Sequence, residues 1–225
     1  MKGRKWRDSI VPIFQLYGID GSPFQKVYRS EGAGGKQKEM PNDLQLYIPQ
    51  PADGWFYVKM MSDPETMAYN ATWFPPDGCI PEPEAEWLNL QAHWIGKEPE
   101  RFYGFLQRKC DGAFVGDVNY HDHPAKNWYD MGIVIYAPER GKGYGRQGLR
   151  LLLERAFEGN GIACLHNEFE ETRNGAYHIH RAAGFREAGV VDGIVRLDLT
   201  RDEYLQARSI RSEKDGSKDS ITSSL

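Results

Sequence analysis

No apolar run in this chain of 225 residues approaches the ~18 residues that a membrane-crossing helix needs. A helical membrane protein is therefore not expected. Cysteine is scarce: Cys79, Cys110 and Cys164 are widely spaced, odd in number and form no CxxC. A disulfide framework and a cysteine metal clasp are both disfavoured, and free thiols in a reducing cytoplasm are expected. Excess positive charge is also absent. Lys and Arg total 28 against 32 Asp and Glu, a net charge of −4. That argues against nucleic acid as a partner and permits a cationic substrate. The basic N-terminus lacks a continuous apolar core, so no signal peptide is expected and the localisation reads as cytoplasmic. No Gly-Lys-Ser/Thr follows a glycine loop, which removes the P-loop. No serine nucleophile elbow is present. His93, His121, His123, His166, His178 and His180 have no convincing ligand spacing, so no metal is expected.

What is present is enough for a core: 40% hydrophobic and 12% aromatic residues. Residues 1–40 read as an appendage. Ile10 to Leu16 suits a short strand, and Ser30 to Glu39 has linker composition ahead of a second methionine, Met40. The main domain is expected over 41–206. The Ser-, Lys- and Asp-rich residues 207–225 are expected to be a disordered tail.

Within the domain, Leu44, Leu46 and Ile48 alternate as in a half-buried strand. Trp55 to Glu65 is read as a helix broken at Asp63-Pro64. A proline-rich loop follows, then a helix over Glu84 to Ile95 with Trp87, Leu90 and Trp94 on one face. Phe102 to Arg108, Ala113 to Tyr120 and Trp128 to Tyr136 form a meander, its first turn at Asp111-Gly112. The most regular helix carries Leu149, Leu152, Leu153, Ala156 and Phe157 in one stripe and stops at Gly159-Asn160-Gly161. Ile162 to Phe169 is a strand, parallel to the one before that helix if the crossover is ordinary. A helix over Asn174 to Ala183 ends at Gly184, and a hairpin turns at Asp192-Gly193.

The decisive stretch runs from Ile133 through Gly148. Buried Ile133-Val134-Ile135 leads into Arg140-Gly141-Lys142-Gly143-Tyr144-Gly145-Arg146 and then a helix. Unpaired amides and the positive dipole end at a helix start suit a phosphate or pyrophosphate. Arg140, Lys142, Arg146, Arg150 and Arg155 outnumber Glu139 and Glu154 there. Read without a ligand, this is a strand–loop–helix corner with a solvated basic face. Gly143-x-Gly145-x-x-Gly148 also matches the dinucleotide fingerprint, with Glu168 near the ribose acid's place. However, Ala137 to Lys142 separate it from its strand, and the repeated strand–helix units of a dinucleotide fold are missing.

The pattern Arg140-x-x-Gly143-x-Gly145 resembles the acetyl-CoA pyrophosphate loop of the GNAT superfamily of N-acetyltransferases. Ser62-Asp63-Pro64-Glu65-Thr66-Met67 looks like the first-helix end in the branch of ribosomal-protein N-acetyltransferases. Met131-Gly132-Ile133 and Ala183-Gly184-Phe185 fall in register, and the resemblance covers about residues 43–200. It implies an α+β fold: a mixed, mostly antiparallel sheet with a splayed parallel strand pair, flanked by helices. It implies acetyl-CoA as co-substrate, the pantetheine arm along Ile133, Val134 and Ile135, and the pyrophosphate on the amides of Gly141 to Arg146. The acceptor implied is an amine-bearing small molecule or a protein N-terminus, and a homodimer is compatible. A non-catalytic acyl-CoA-binding module is the alternative.

Direct transfer needs a base for the amine and a proton for the leaving thiolate. Counting back from Gly184-Phe185, Glu168 falls at the family's base position, with Glu170 on the same face. The family's usual acid, a tyrosine four residues before the glycine, is His180 here, with Tyr177 one turn earlier. The asparagine expected to open that helix is Arg173, followed by Asn174. The acid therefore stays open among His180, Tyr177 and water. Trp55, Phe56, Tyr57, Tyr69, Trp73, Phe74, Trp87 and Trp94 fall in the region that forms the acceptor wall in that fold; most read as core, and a few, with Asp77, Glu82, Glu84 and Glu86, suit the framing of an amine.

Overall fold

A computed structural model describes residues 43–219 apart from 72, 73 and 124, with side chains up to 210. The proposed appendage over 1–40, with its strand at Ile10 to Leu16, lies outside the described residues, as do Trp73 and residues 220–225.

The strands are β1 (Leu44–Tyr47), β2 (Arg101–Arg108), β3 (Phe114–Asp122), β4 (Tyr129–Ile135), β5 (Cys164–Glu170), β6 (Arg186–Val191) and β7 (Ile194–Thr200). They form one seven-stranded sheet in the order β1-β2-β3-β4-β5-β7-β6. Every neighbouring pair is antiparallel except β4 and β5. The helices are α1 (Gly54–Met61), α2 (Pro64–Met67), α3 (Pro83–His93), α4 (Tyr144–Leu153), α5 (Asn174–Ala183) and α6 (Arg201–Asp219). Among the described residues no helix is long and apolar enough to cross a membrane.

Strand alternation sorts side chains onto two faces. One face carries Phe102, Leu106, Val118, Tyr120, Met131, Leu165, Phe169, Leu197 and Leu199, all buried. Against it lies the stripe expected on α4: Leu149, Leu152, Leu153, Ala156 and Phe157. Each of these leucines and Phe157, fully withdrawn from water, stabilises by about 1.5–3 kcal/mol. Gly148 sets the approach. A Cβ there would lie 2.5 Å from Leu106 Cδ1, so a larger residue would force the Leu106 side chain or α4 to shift. The helix continues past Leu153 as a π-helical turn, Glu154–Gly159, which keeps Ala156 and Phe157 buried.

The other face is covered by α1 and α3 through rings. Phe56 and Trp87 pack on Phe105 at 5.2 and 5.8 Å, and Tyr57 packs on Tyr103 at 6.3 Å. The expected helix over Trp55 to Glu65 divides into α1 and α2 because Asp63 caps the second turn, accepting from the Thr66 amide at 3.0 Å, with Pro64 at its first position. One element was not anticipated. Helix α6 continues directly from β7 through the point where composition ended the domain at 206; Tyr204 packs on Phe157 at 5.1 Å.

Candidate active site

The parallel pair is bonded over a short length only. Tyr129 pairs with Leu165 and Asp130 with His166, and no further register exists between β4 and β5. Beyond that point Met131–Ile135 and Asn167–Glu170 belong to strands that have parted, so backbone groups of β4 face an opening. At the far end of β4 the chain makes a 3-10 turn, Ala137–Glu139, and then the glycine loop.

Gly141 and Gly143 have φ of +78° and +81°, which glycine adopts without strain. A Cβ at either would meet nothing within 4 Å, so the space above the loop is open. Gly143 is the N-cap of α4 and supplies no side-chain cap. The amides of residues 141–146 find no acceptor among the described residues. An uncapped helix start with consecutive free amides and a positive dipole end is built for an anionic group. Arg146 is exposed beside it. Lys142 leans on Glu139 at 2.8 Å, and Arg108 reaches the same carboxylate at 3.2 Å.

Arg140 has a different task for its side chain. Its Nε donates to the Ile135 carbonyl at 3.2 Å, and its terminal nitrogens donate to the carbonyls of Glu65 and Thr66 at 3.0 and 2.8 Å. The Ala137 amide donates to Thr66 Oγ1 at 2.9 Å. Two motifs more than seventy residues apart in the chain are thus one structural joint, which holds the end of β4 against α2. The guanidinium is committed to carbonyls, so what residue 140 can offer an anion is its position in the loop.

Glu168 is the first side chain on the helix-covered face of β5 beyond the last β4–β5 pair, at the apex of the opening. Its side chain is 38% exposed. His166 Nε2 lies 3.8 Å from one of its oxygens and Arg196 Nε 3.3 Å, both as ion pairs. These cations, His166 foremost, hold Glu168 below its usual range. His166 is itself buried, which disfavours its charge. Contacts with Asp198, 2.5 Å from Nδ1, and with Glu168 outweigh that and raise it to about 9. Trp128 stacks on the imidazole at 4.6 Å and donates to Asp130 at 3.1 Å. Glu170 follows on the same face, opposite Ile194.

His180 and Tyr177 do not stand at the cleft, which corrects the expectation of an acid there. His180 is 1% exposed on the opposite face of the sheet. Its Nδ1 lies 2.8 Å from the Ala176 carbonyl, and its Nε2 lies 2.9 Å from Asn167 Nδ2, so the ring is neutral with Nε2 as acceptor. Burial lowers it to about 4. Phe169 and Phe185 enclose it. Tyr177 donates to Glu187 at 3.0 Å, on the edge strand β6, two strands from β5. Arg173, in the expected asparagine position, lies over the rings of Tyr69 and Phe169 at 4.8 and 5.5 Å and ties the segment after α2 to β5.

The aromatics of the α1 and α3 region differ in placement. Phe56, Tyr57 and Trp87 are buried over the sheet, and Trp94 lies edge-on to His121 at 5.2 Å. Trp55 points outward, 59% exposed, and Glu82 and Glu84 are exposed. The polar floor beneath was not read from the sequence. Asp117, Asn119 and His121 on β3, and Asp130 on β4, are all buried on this face. Their signal was the alternation Asp117-Val118-Asn119-Tyr120-His121, which looks like a strand with a solvated side.

The model of the acetyltransferase (GNAT) domain matches residues 43–186. No curated protein matches the chain. Among solved structures, a spermidine N-acetyltransferase from Vibrio cholerae in complex with CoA and spermine has a TM-score of 0.60 at 18% identity, over 73% of this chain and 99% of that one. A GNAT-family acetyltransferase from Bacillus anthracis has 0.58 at 16%, over 72% and 96%. FdhC, a nucleotide-linked sugar GNAT solved in the apo form, has 0.60 at 16%, over 76% and 94%. At these identities the structures speak for the fold, and the domain match speaks for the family. With its parted parallel strands, its uncapped glycine loop and a family match over most of the described domain, this chain belongs to the GNAT family and is an N-acetyltransferase.

Proposed function

We propose that the protein transfers an acetyl group from acetyl-CoA directly to a primary amine, on a small molecule or a protein N-terminus. The observation that carries this reading is the β4–β5 pair, bonded at Tyr129–Leu165 and Asp130–His166 and open thereafter, with the glycine loop at the open end. The open amides of Gly141, Lys142, Gly143, Tyr144, Gly145 and Arg146 hold the pyrophosphate. The backbone of Ile133, Val134 and Ile135 holds the pantetheine arm. Acetyl-CoA supplies the activated acyl carbon when bound. Glu168, at the apex, receives the amine proton directly or through a water as nitrogen attacks that carbon and the carbon–sulfur bond breaks. Its two cationic neighbours hold the carboxylate in place and ionised. The leaving thiolate takes its proton from water, since His180 and Tyr177 are engaged elsewhere. No cysteine activation supports a covalent route: burial raises Cys79 and Cys164, the latter to about 11.

The test is calorimetric titration of acetyl-CoA into wild type and Gly143→Val. The branched side chain strains a positive-φ position and fills the open space where the pyrophosphate sits. A folded variant should lose at least about tenfold in affinity, in proportion to the lost amide contacts. Unchanged affinity would remove the loop from the reading.

A further inference from the structure

On the helix-covered face, Asp117 differs from every acid around it. It is 2% exposed, and its Oδ2 accepts from the Tyr103 hydroxyl at 2.8 Å. Its Oδ1 is buried and has no partner among the described residues, and no cation pairs with it there. Two residues along, Asn119 Oδ1 is likewise buried without a partner. Consecutive side chains on one face of a strand stand about 7 Å apart. Around Asp117 are phenol rings. Burial first, and then Asp117 itself, raise the pKa of Tyr57, Tyr69 and Tyr103. Tyr69 is partly buried as a residue, with its hydroxyl desolvated. A desolvated carboxylate oxygen and an amide oxygen under aromatic rings both lack hydrogen-bond donors. An alkylammonium supplies donors, charge and an apolar stem together.

The register says how this spot relates to the opening. Asp117 lies opposite Val134 and Asn119 opposite Gly132. Gly132, itself buried, contributes no side chain between Asn119 and the opening. From β3 across β4 into the opening is about 7–10 Å, one and a half to two strand spacings. That is too far for the nitrogen that is acetylated beside Glu168 and suits a second nitrogen on the same molecule, about four to six carbons away.

We propose that Asp117 and Asn119, under Tyr57, Tyr69 and Tyr103, form a subsite for a second, non-reacting ammonium of the acceptor, so that the enzyme acts preferentially on linear diamines. This rests on the reading of Glu168 and the β4–β5 opening as the acetyl-transfer site. Burial of Asp117 without a counter-ion raises its pKa to about 7, as expected of a carboxylate that awaits a cation.

The experiment compares kcat/KM for 1,4-diaminobutane, 1,6-diaminohexane and n-butylamine with acetyl-CoA, in wild type and Asp117→Asn. Wild type should favour the better diamine over the monoamine by about 10- to 100-fold, the worth of a buried charge-assisted contact. Asp117→Asn should bring that ratio near one. Asn119→Ala should lower it about threefold. A wild-type ratio near one, or a ratio unchanged in Asp117→Asn, overturns the subsite while transfer to amines stands. If no amine is acetylated, the transfer reading fails on its own, and calorimetry of 1,4-diaminobutane alone still decides the subsite. Heat of binding that disappears in Asp117→Asn supports it. Binding absent from wild type or retained in the variant overturns it. Melting curves establish that both variants are folded, and an unfolded Asp117→Asn leaves Asn119→Ala to decide through the same ratio.

Discussion

Two halves of one sheet face treat their buried polar groups in opposite ways. On β5 and β7, His166, Glu168, Arg196 and Asp198 pair among themselves, with Trp128 stacked over the imidazole. On β3, Asp117 and Asn119 each leave Oδ1, and His121 both ring nitrogens, buried without a hydrogen-bond partner among the described residues, His121 Nε2 having only Asp130 at 3.8 Å; Arg196 Nε lacks a hydrogen bond too but has its ion pair with Glu168 at 3.3 Å. A buried group without its hydrogen bond costs about 1–3 kcal/mol. The first half is finished by folding. The second is held unfinished by the rigid cover of α1 and α3. The difference separates groups that the fold has already neutralised from groups that a ligand can complete.

Glu168→Gln should break the finished half most severely. It keeps the shape and removes the proton acceptor, so the rate at neutral pH should fall by about 10²–10⁴ and recover partly at higher pH as free amine becomes abundant. A variant with the wild-type pH–rate profile would transfer the role to Glu170 or to a water chain.

The His166 cluster should next appear in the pH dependence of stability. Its folded pKa of about 9 exceeds the ordinary 6.5, so its contribution is complete below pH 6.5 and is lost as pH rises through 9. The full loss is on the order of 3 kcal/mol. Chemical denaturation from pH 6 to 10 should show this decline in wild type and a flatter curve in His166→Gln. Equal slopes would mean that the imidazole is not held charged.

Asp117 should behave with the opposite sign. Its pKa is raised from 3.8 to about 7, so the folded state resists its ionisation, and stability falls as pH rises from 4 through 7. Asp117→Asn should therefore stabilise the ligand-free protein by about 1–3 kcal/mol at pH 8 and by little at pH 4. Destabilisation at pH 8 would mean that the carboxylate already has a counter-ion.

The smallest effect is expected on the other face. His180→Phe leaves Asn167 and the Ala176 carbonyl short of a partner and should cost about 1–2 kcal/mol in denaturant titration, with kcat unmoved. A fall in kcat without a fall in stability would return His180 to the chemistry.

Much of the fold was legible because it rests on local signals. The α4 stripe, the Asp-Gly turns, the Asp63-Pro64 break and the glycine loop each state their structure within a few residues. Helix α6 was missed because its residues are polar and its order comes from continuity with β7 and the contact of Tyr204 with Phe157. At the site, spacing named Glu168, which the structure puts just beyond the last β4–β5 pair. His180 and Tyr177 were misplaced because spacing along a helix does not say which side of a sheet it faces.

The sequence alone determined the order of elements from β1 to β7, the parallel crossover around α4 and an uncapped glycine loop, since periodicity and backbone stereochemistry act over short distances. Only the tertiary structure decided which polar residues of β3 and β5 are buried and which of them are paired. An alternating strand reads the same whether its polar side meets water or a layer of helices. Over β3, what separates the two is the cover of α1 and α3, brought from elements distant in the chain. Desolvation under this cover makes Asp117 an unfinished site, whereas His166, under Trp128, is finished by Asp198 and Glu168.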